Sequence, residues 1–514
     1  MKRIISLILA FCFMLALVSC GGNKADTDSK NTSGVVIGEL EKDKYKGEFR
    51  VGYSIASIMP DDPALPLAGY GNEPYRICTG FLDNLYTRAT AISDKKDNTV
   101  IVMQIDIINM VRGDIADQIF EGVSKACGVK EDNIIFNCSH THSGPALNQS
   151  QMSVIQAYVP FFVNTIVANA VDAMNDRMPA TMAYGDTQVP DHNFVRHYFA
   201  TDGQGDNRVV GDNHWDVWYA DLPEESGKAY LGHADDIDQT FHIIKFDRED
   251  ADDIMWMSFR AHNIITGNAQ QYLMSSDWTG KLCEYVEKEM KGTKCMYLQG
   301  DAGNVNPSTR MSDTEKNYVT GNKETIDDLV NYSSTLAPYA VKLAGNLKNV
   351  PTGLVGGKRF SIMFDVNHDR DSKKSAAILV QDYWKKTNDS SATKRYAYTL
   401  GLVSQYEASS IIQNAGLGEQ VEFKASVMTI CGLGFTFTPG ELFNQLGVQI
   451  RKRSPYDTTV SISYAGQTYG YLPDSAAYDY GSYEVDTARQ AKGSGEKLVD
   501  RFIVELENLK KSVK

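Results

Sequence analysis

Two histidines, His140 and His142, follow an apolar β-branched segment and are separated by one residue. Their side chains could bind a metal ion or move protons, because imidazole is the commonest metal ligand and titrates near neutral pH. Residues two apart in an extended segment point to the same face, so both rings are expected to face one pocket. Gly144 and Pro145 are expected to end the strand beyond them. A metal-binding or catalytic role is the favoured interpretation, and a structural role for the pair is the alternative.

Three other residues could act with this pair, although each also has an ordinary structural explanation. His262 follows another apolar strand, and a lone histidine is more often a hydrogen-bonded core residue than a ligand. Glu441 is predicted to open a helix, where a carboxylate stabilises the helix dipole without any catalytic role. Tyr478 lies in the tyrosine-rich segment 470–484, which is typical of a substrate wall or of packing.

A glycine-rich turn at 300–307 follows a further predicted strand. Its glycines would let the backbone approach a ligand closely. The turn has neither the glycine–lysine phosphate loop nor the three-glycine dinucleotide pattern. Nucleotide binding is therefore not supported.

Three segments that could position these residues share the order apolar strand, turn, amphipathic helix, apolar strand. The strands are predicted at 99–106, 134–136, 254–259, 296–298, 427–437 and 458–464, and the helices at 113–127, 277–290 and 441–453. Strands that alternate with helices indicate βαβ units. The sequence therefore predicts an α/β fold with a parallel or mixed sheet and helices on its faces. The site is expected at the carboxyl ends of the strands, where open α/β sheets bind ligands.

Two further regions are assigned by composition. The polar, Asp- and Gly-rich stretch 186–238 is predicted to form long loops near one end of the sheet. Residues 373–410 are predicted to form a helical cover. No repeat of fixed period occurs, which argues against a solenoid or a propeller.

The N-terminal residues 1–20 have the pattern of a signal peptide, with Lys2 and Arg3 before an apolar run. The string Leu17–Cys20 resembles a bacterial lipobox, in which Cys20 is lipidated and becomes the new N-terminus. Residues 21–45 are predicted to be a flexible tether and 46–514 a single catalytic domain. We therefore expect an exported lipoprotein anchored through Cys20, at the outer membrane or cell surface, facing the periplasm or the exterior.

Composition excludes some classes of protein. The 514 residues are 42% apolar and 23% charged, an ordinary globular balance, and the net charge of −14 disfavours nucleic acid as a partner. The cysteines outside the signal peptide form no Cys-x-x-Cys pair, so a thiolate zinc site is not supported. A Cys283–Cys295 disulfide and two buried free thiols are both compatible with the sequence.

Spaced motifs along the chain resemble those of neutral/alkaline, non-lysosomal ceramidases, which are zinc amidases that cleave the N-acyl bond of sphingolipids. The motif Ser139–Pro145 is the most specific of them and is intact. The others are Val51–Ile55, Pro66–Gly71, Leu82–Ala89, Ala261–Asn263, Ser276–Gly280, Thr438–Glu441 and Tyr483–Glu484. The β-sandwich that follows the catalytic domain in many ceramidases is expected to be absent, since about 30 residues remain after this similarity.

The resemblance implies roles for particular residues. It implies one zinc ion, with the ligands His140, His262, Glu441 and Tyr478. His142 would be a hydrogen-bonding or proton-handling partner beside the metal. Tyr478 would also help to stabilise the oxyanion. By a looser similarity in placement, Arg196 would contact the substrate.

One position departs from the family pattern. The family string Gly-Asp-Val-Ser-Pro-Asn corresponds to Gly303–Ser308, and its serine is replaced by Asn306. An amide is not a competent nucleophile, so a covalent acyl-enzyme at this position is excluded. Asn306 can still donate a hydrogen bond to a developing oxyanion. The substitution puts ceramide itself in doubt as the substrate and leaves a loss of catalysis open.

Three functions are consistent with these observations. The first is a zinc-dependent, ceramidase-like amidase acting on a sphingolipid-like or other N-acyl substrate. The second is a zinc esterase or amidase for a small polar or glycan-derived substrate, favoured by Asn306 and by the polar stretch 186–238. The third is a non-catalytic surface lipoprotein, which does not require His140, His262 and Glu441 to converge. The oligomeric state is open.

Overall fold

A computed structural model describes residues 34–71, 75–211, 226–234, 236–310 and 324–513. The predicted signal peptide and the predicted lipidation site Cys20 lie outside these ranges, as does the first part of the predicted tether.

The strands of the described residues are numbered in chain order. They are β1 (Arg50–Ser57), β2 (Gly80–Phe81), β3 (Tyr86–Ser93), β4 (Thr99–Ile105), β5 (Ile134–Cys138), β6 (Met178–Gln188), β7 (Asn193–Val195), β8 (His197–Thr201), β9 (Asn207–Gly211), β10 (Ala229–His233), β11 (Thr240–Arg248), β12 (Asp253–Phe259), β13 (Leu273–Met274), β14 (Thr293–Gln299), β15 (Val305–Pro307), β16 (Lys348–Val350), β17 (Val355–Asp365), β18 (Gln420–Ile430), β19 (Leu433–Phe437), β20 (Glu441–Leu442), β21 (Thr459–Ile462) and β22 (Tyr471–Leu472).

The helices are numbered in the same way. They are α1 (Gly113–Cys127), α2 (Ser153–Asn175), α3 (Ile265–Ala269), α4 (Asp277–Glu289), α5 (Ile326–Ala344), α6 (Lys374–Thr387), α7 (Ser390–Thr399), α8 (Gln405–Asn414), α9 (Asn444–Arg453), α10 (Ser475–Tyr480), α11 (Tyr483–Thr487) and α12 (Ser494–Ser512). Short 3-10 turns occur at Glu131–Asn133, Ser308–Arg310 and Asp371–Lys373.

Two sheets form the centre of the structure. The larger has the strand order β14-β12-β11-β6-β1-β3-β4-β5, with β16 paired to β6, and the smaller has the order β17-β18-β19-β21. The pairs β4–β5, β12–β14 and β19–β21 are parallel, and the other neighbours in these two sheets are antiparallel. The predicted α/β class with a mixed sheet is therefore confirmed.

The two sheets pack face to face, and helices cover their outer faces. Side chains along β4 alternate between the two faces of the large sheet. Val100 and Val102 belong to the core between the sheets, whereas Ile101 and Met103 belong to the core under α1 and α2. The other half of the large sheet packs on α4 and α5, and the outer face of the small sheet packs on α9 and α12. The result is a four-layer arrangement of helices, sheet, sheet and helices.

The three predicted strand–helix–strand segments correspond to the three parallel strand pairs. Helix α1 lies between β4 and β5 along the chain, α3 and α4 lie between β12 and β14, and α9 lies between β19 and β21. The third helix begins at Asn444 rather than at the predicted Glu441, which belongs to β20. The predicted helical cover at 373–410 is present as α6, α7 and the first part of α8.

Helix α2 is the one described helix that is long and apolar enough to cross a membrane by length and composition. It is, however, a core element, because 56% of its most apolar window is buried. Phe162 and Ile166 on this helix pack in the core that also contains Ile101 and Met103. Its hydrophobicity is thus explained by packing within the protein.

The stretch 186–238 is more ordered than its composition predicts. Besides the end of β6, it contains β7 and the three-stranded sheet β10-β8-β9, while residues 212–225 and 235 lie outside the described ranges. Tyr198, Ala200 and Val210 are buried within this sheet. The prediction of long loops was wrong for these strands, since a few apolar residues at alternate positions are enough to order them.

The later part of the predicted tether 21–45 is also attached to the domain. The backbone N–H of Glu41 donates to Asn175 Oδ1 at 2.8 Å, and Asn175 Nδ2 donates to the Glu39 carbonyl at 2.9 Å. Asp43 forms ion pairs with the buried Arg50 at 2.7 Å and with Arg177 at 3.1 Å. The prediction of a flexible tether was therefore wrong for residues 39–45, because buried guanidinium groups hold this segment against the sheet.

The cysteines at 283 and 295 are both buried free thiols in the structure. The structure therefore favours two buried free thiols over a Cys283–Cys295 disulfide. Burial raises the pKa of Cys283 to about 12, so its thiol stays protonated and unreactive at neutral pH.

Candidate metal centre

Three of the predicted ligands follow strands of the parallel pairs. His140 lies two residues after β5, His262 lies three residues after β12, and Glu441 lies four residues after β19. All three therefore stand beyond the carboxyl ends of strands, as predicted for the site. All three side chains are buried.

Backbone contacts between two of these loops hold the histidines together. Thr141 forms a parallel bridge with Asn263, and the N–H of His142 donates to the Asn263 carbonyl at 3.0 Å. His140 has a φ of +63°, so the segment is not extended at this point. The expectation that the histidine pair shares a pocket is confirmed, but a turn rather than strand alternation produces it. Such a left-handed conformation is uncommon for histidine and requires support from its surroundings.

The ligand atoms converge on one point. Nε2 of His140 and Nε2 of His262 each lie 3.4 Å from Oε2 of Glu441. His140, His142 and His262 also form a buried group whose ligand atoms lie within 4.8 Å of one another. Two ligands about 2.05 Å from a tetrahedral ion are separated by about 3.3 Å, so the observed spacing suits a zinc-sized ion.

Hydrogen bonds fix the tautomer of both candidate histidine ligands. Nδ1 of His140 donates to the Ile108 carbonyl at 2.9 Å, and Nδ1 of His262 donates to the Val305 carbonyl at 2.9 Å. A neutral imidazole that donates from Nδ1 carries its lone pair on Nε2. Such backbone contacts are the usual way in which proteins orient metal-binding histidines.

Burial shifts the pKa of each candidate ligand toward its neutral form. It lowers the pKa of His140 to about 3 and that of His262 to about 3, so both rings are unprotonated at neutral pH. Burial also raises the pKa of Glu441, although the neighbouring His140 and Arg196 and a hydrogen bond from Tyr471 oppose the change. The centre therefore brings the lone pairs of two neutral imidazoles together with the carboxyl group of Glu441.

This donor set fits a divalent cation. Nε2 of His262 is buried and has no hydrogen-bond partner among the described residues. Lone pairs that face one another in a dry site repel, and a bound cation would convert that repulsion into attraction. Nitrogen and carboxylate donors are those that zinc accepts in tetrahedral catalytic sites.

His142 lies beside this centre. Its Nε2 is 3.1 Å from Nε2 of His140, and its Nδ1 is buried without a partner in the described residues. Because Nδ1 of His140 is the protonated nitrogen of that ring, Nε2 of His142 is the donor in this contact. The ring of Tyr70 packs edge-on against His142, with 5.3 Å between ring centroids.

Glu441 is positioned by strand pairing rather than by a helix. It lies in β20, which pairs in parallel with β22 so that Glu441 is opposite Tyr471. This register explains the hydrogen bond that Tyr471 gives to the Glu441 carboxylate. Tyr471 was not predicted as a site residue, because nothing in the local pattern shows that two strands of two residues each will pair.

Tyr478 is the one predicted zinc ligand that the structure does not bring to the centre. Its hydroxyl donates to the Gln490 carbonyl at 2.8 Å, and its ring packs against the core of the small sheet. The ligand position assigned to Tyr478 is therefore corrected, since α10 turns this side chain away. The tyrosines beside the carboxylate are Tyr471 and Tyr464, and the Tyr464 hydroxyl lies 3.5 Å from Glu441 Oε2.

Arg196 lies next to the centre and is held by several acceptors. It donates to Glu484 at 2.6 Å, to the Gly303 carbonyl at 3.0 Å and to the Tyr471 hydroxyl at 3.2 Å. A longer contact of 3.4 Å joins it to Oδ1 of Asn306. Because guanidinium only donates, this contact places the amide oxygen of Asn306 toward Arg196 and leaves Nδ2 free to point elsewhere. Arg196 is thus close to the predicted site, and its contact with a substrate stays a prediction.

A glycine is required at position 303, because the backbone there passes very close to the backbone of Glu441. A Cβ at this position would lie 2.3 Å from the Glu441 carbonyl oxygen. We expect Gly303→Ala to lower the free energy of unfolding by about 1–3 kcal/mol and to weaken metal binding, because overpacking shifts the Glu441 backbone. Chemical denaturation and metal titration measure the two effects.

Gly345→Ala is the matched control for this substitution. Its Cβ would meet nothing closer than 3.6 Å, and its φ of −76° suits alanine. If both variants bound metal as the wild type does, the close approach at Gly303 would have no functional consequence.

The fold and the centre together define an α/β protein with a buried metal-type site at the carboxyl ends of its parallel strands. The family model described as neutral/alkaline non-lysosomal ceramidase, N-terminal, matches residues 49–328 of this chain. The chain therefore belongs to the neutral/alkaline non-lysosomal ceramidase family, and the resemblance stated from its motifs is confirmed.

Individual relatives are distant. Neutral ceramidase B of Dictyostelium discoideum is 22% identical over 287 residues, which cover 52% of this chain and 37% of that relative. The crystal structure of neutral ceramidase from Pseudomonas aeruginosa superposes with a TM-score of 0.66 at 15% identity, covering 91% of this chain and 75% of that one. A ceramidase complexed with C2 gives a TM-score of 0.63 at 16% identity, covering 91% and 76%. These structural matches establish the shared fold.

Proposed function

We propose that this protein is a zinc-dependent amide hydrolase that cleaves the N-acyl bond of a sphingolipid-like or other N-acyl substrate. The observation that carries the proposal is the convergence of His140, His262 and Glu441, in which Nε2 of each histidine lies 3.4 Å from Oε2 of Glu441. Membership of the ceramidase family supports the choice of an N-acyl bond. A non-catalytic lipoprotein would not need this convergence.

The proposed ligands are His140, His262 and Glu441, and Tyr471 donates a hydrogen bond to the carboxylate. Zinc bound there would polarise the scissile carbonyl and lower the pKa of a water molecule at the site. The backbone carbonyls of Ile108 and Val305 keep both imidazoles in the tautomer that offers Nε2. The hydrogen bond from Tyr471 holds the carboxylate in position.

His142 is the proposed proton carrier. Its Nε2 faces the centre, 3.1 Å from Nε2 of His140, so with the His140 lone pair on the metal this nitrogen would accept a proton from the attacking water. The water oxygen bonds to the acyl carbon, the C–N bond breaks, and the proton passes to the leaving amine. Burial and the neighbouring His140 keep the pKa of His142 well below its usual range, which makes the protonated ring a ready donor.

Asn306 and Arg196 provide the proposed electrostatic stabilisation. Arg196 fixes the amide of Asn306 through its Oδ1, which leaves the Nδ2 hydrogens available for a developing oxyanion. Tyr471 is a second possible donor, since burial raises the pKa of its hydroxyl and keeps it protonated. Neither residue forms a covalent intermediate in this proposal.

A zinc esterase or amidase for a small polar or glycan-derived substrate is the second candidate. The specific observation in its favour is Asn306, which stands where the family string has serine. Export and anchoring through Cys20 are proposed on the signal-peptide and lipobox pattern alone. Such an anchor would hold the enzyme at the membrane where N-acyl lipids partition.

The test combines metal analysis with a hydrolysis panel of N-acylsphingosine and N-acyl amino acids. We expect about one zinc per chain, loss of hydrolysis after chelation and recovery when zinc is restored. A chain that takes up no stoichiometric metal on reconstitution would refute the proposal. Stoichiometric zinc with ester hydrolysis but no amide hydrolysis would favour the second candidate.

A further inference from the structure

Arg76 is a buried arginine that the proposed reaction does not use. It is 1% exposed, and arginine is seldom buried so completely unless its donors are paired. Its Nη1 donates to the Ala68 carbonyl at 2.6 Å and to the His142 carbonyl at 2.7 Å, and its Nε donates to the Gln271 carbonyl. Arg76 therefore contacts the backbone of the proposed proton carrier directly.

These three carbonyls belong to separate parts of the chain. Ala68 lies in residues 66–71, which we call the Gly69 loop. His142 follows β5, and Gln271 lies between α3 and β13. A guanidinium presents several donors in a rigid planar fork, which an ammonium group does not. One side chain therefore sets the spacing of the three segments.

The Gly69 loop lies directly against the ring of His142. A Cβ at Gly69 would be 2.6 Å from Nδ1 of His142, which is too close for a carbon atom. The φ of Gly69 is +124°, a conformation that favours glycine. The next residue, Tyr70, packs its ring edge-on against His142 with 5.3 Å between ring centroids. The loop thus forms a wall on the Nδ1 side of this ring.

Arg76 holds this wall at several points. Its guanidinium carbon lies 4.7 Å from the centroid of the Tyr70 ring, in a cation–π contact. Its Nη1 bonds the Ala68 carbonyl, and its own carbonyl accepts the N–H of Leu67 at 2.8 Å. The position of the wall therefore depends on Arg76.

His142 needs such a wall because it lacks the hydrogen bond that orients the other two rings. Nδ1 of His140 and Nδ1 of His262 each donate to a backbone carbonyl, whereas Nδ1 of His142 has no partner in the described part of the chain. The 3.1 Å contact between Nε2 of His142 and Nε2 of His140 would be lost once the His140 lone pair binds a metal ion. Packing must then keep Nε2 of His142 turned toward the centre.

We propose that Arg76 is a positioning residue for His142 and acts on it through the His142 carbonyl and the Gly69 loop. By fixing both, Arg76 keeps Nε2 of His142 directed at the candidate metal centre. This inference rests on the proposed function, because it gives Arg76 a role in the proton transfer proposed for His142. Arg76 itself takes no part in the reaction.

Replacing Arg76 by methionine tests this role by kinetics. In the zinc-loaded protein, Arg76→Met should lower kcat on the best substrate of the panel about tenfold or more, since proton transfer by a positioned side chain contributes about 10²–10⁴-fold. KM should change by less than about twofold, and the zinc content should stay that of the wild type. Arg76→Lys keeps the charge and part of the hydrogen bonding, so it should recover part of the loss.

A double substitution separates positioning from a general effect on the fold. In the His142→Ala background, Arg76→Met should change kcat by less than about twofold, because the ring that it positions is gone. Circular dichroism verifies that each variant is folded. If Arg76→Met is not, Tyr70→Leu carries the test, since it removes the half-buried ring between Arg76 and His142 and leaves the hydrogen bonds of Arg76 in place.

Arg50→Met is the matched control. Arg50 is 2% exposed, but it lies opposite Ser93, which is itself opposite Thr99 at the start of β4. The centre lies beyond the other end of these strands. Arg50→Met should therefore leave kcat unchanged, although it too removes a buried guanidinium.

Nuclear magnetic resonance gives a readout that needs no turnover. In zinc-loaded protein labelled with ¹³C at Cε1 of histidine, the His142 signal is assigned by its absence in His142→Ala. Arg76→Met should shift or broaden this signal, and Arg50→Met should leave it unchanged.

Wild-type kcat in Arg76→Met would overturn the inference, as would an unchanged His142 signal or an equal loss of kcat in the His142→Ala background. If the wild type hydrolyses no substrate of the panel, the proposed hydrolysis fails and the His142 signal alone decides. A shifted or broadened signal in Arg76→Met then supports the positioning role, and an unchanged one overturns it.

Discussion

Replacing His262 by alanine is expected to abolish stoichiometric zinc binding and to lower amide hydrolysis about a thousandfold. His262 supplies one of the three converging donors, and its Nε2 has no other partner among the described residues. A catalytic metal supplies several kcal/mol of transition-state stabilisation, and about 4 kcal/mol corresponds to a thousandfold in rate. Metal content by mass spectrometry and kcat/KM on the best substrate of the panel measure the two losses.

His192→Ala is the control for this variant. His192 is half-buried, and its ring contacts Thr335, the Pro190 carbonyl and two tyrosines, Tyr332 and Tyr339, but not the centre. It should keep zinc and activity. If His262→Ala retained a full equivalent of zinc with normal kcat/KM, the convergence of the three donors would be a structural feature only.

Sequence patterns predicted the parts of the fold whose partners are close along the chain. The unit β4–α1–β5 spans 99–138, and its helix bounds were predicted to the residue. The antiparallel strands β1, β6 and β11 were not predicted, because their partners are distant. Strand β1, for example, pairs with both β3 and β6, and Val51 stands opposite Ile92 and Met178.

The sequence predicted those site residues that directly follow the ends of strands. His140, His142 and His262 were selected because they follow apolar strands, and the structure brings them together. The ligand role of Glu441 came from the resemblance alone, and the residue was wrongly predicted to open a helix, whereas it lies in β20. The environment of its carboxylate depends on β20–β22 pairing, which joins residues 30 positions apart through two short segments.

The family pattern did not predict which tyrosines lie at the centre. Tyr478 was assigned by resemblance, yet its hydroxyl donates to the Gln490 carbonyl rather than reaching the centre. The rings of Tyr464 and His140 pack at a tilt with 4.0 Å between their centroids, and the two residues have left-handed φ values of +55° and +63°. A strained backbone at two touching positions is a property of the folded centre, and no local sequence signal precedes it.

Glu484→Gln is expected to lower the free energy of unfolding at pH 7 by about 3–5 kcal/mol, because it leaves the buried charge of Arg196 without its carboxylate partner. Glu484 is fully buried and accepts from Arg196 at 2.6 Å and from His197 at 3.2 Å. Asp479→Asn is the control, since the ion pair of Asp479 with Lys492 is exposed and contributes little. Urea denaturation of both variants and the wild type gives the comparison.

The pH dependence of this difference provides a second readout. Burial favours protonation of Glu484, but Arg196 and His197 outweigh it and hold its pKa well below the usual value of 4.5. A carboxylate with a lowered pKa in the folded state contributes stability above its unfolded pKa and loses it as the pH falls toward the folded value. The gap between wild type and Glu484→Gln should therefore be constant from pH 7 to about pH 5 and narrow below about pH 4.5. A gap that is already absent at pH 7 would mean that the stability of the fold does not depend on the Glu484–Arg196 ion pair.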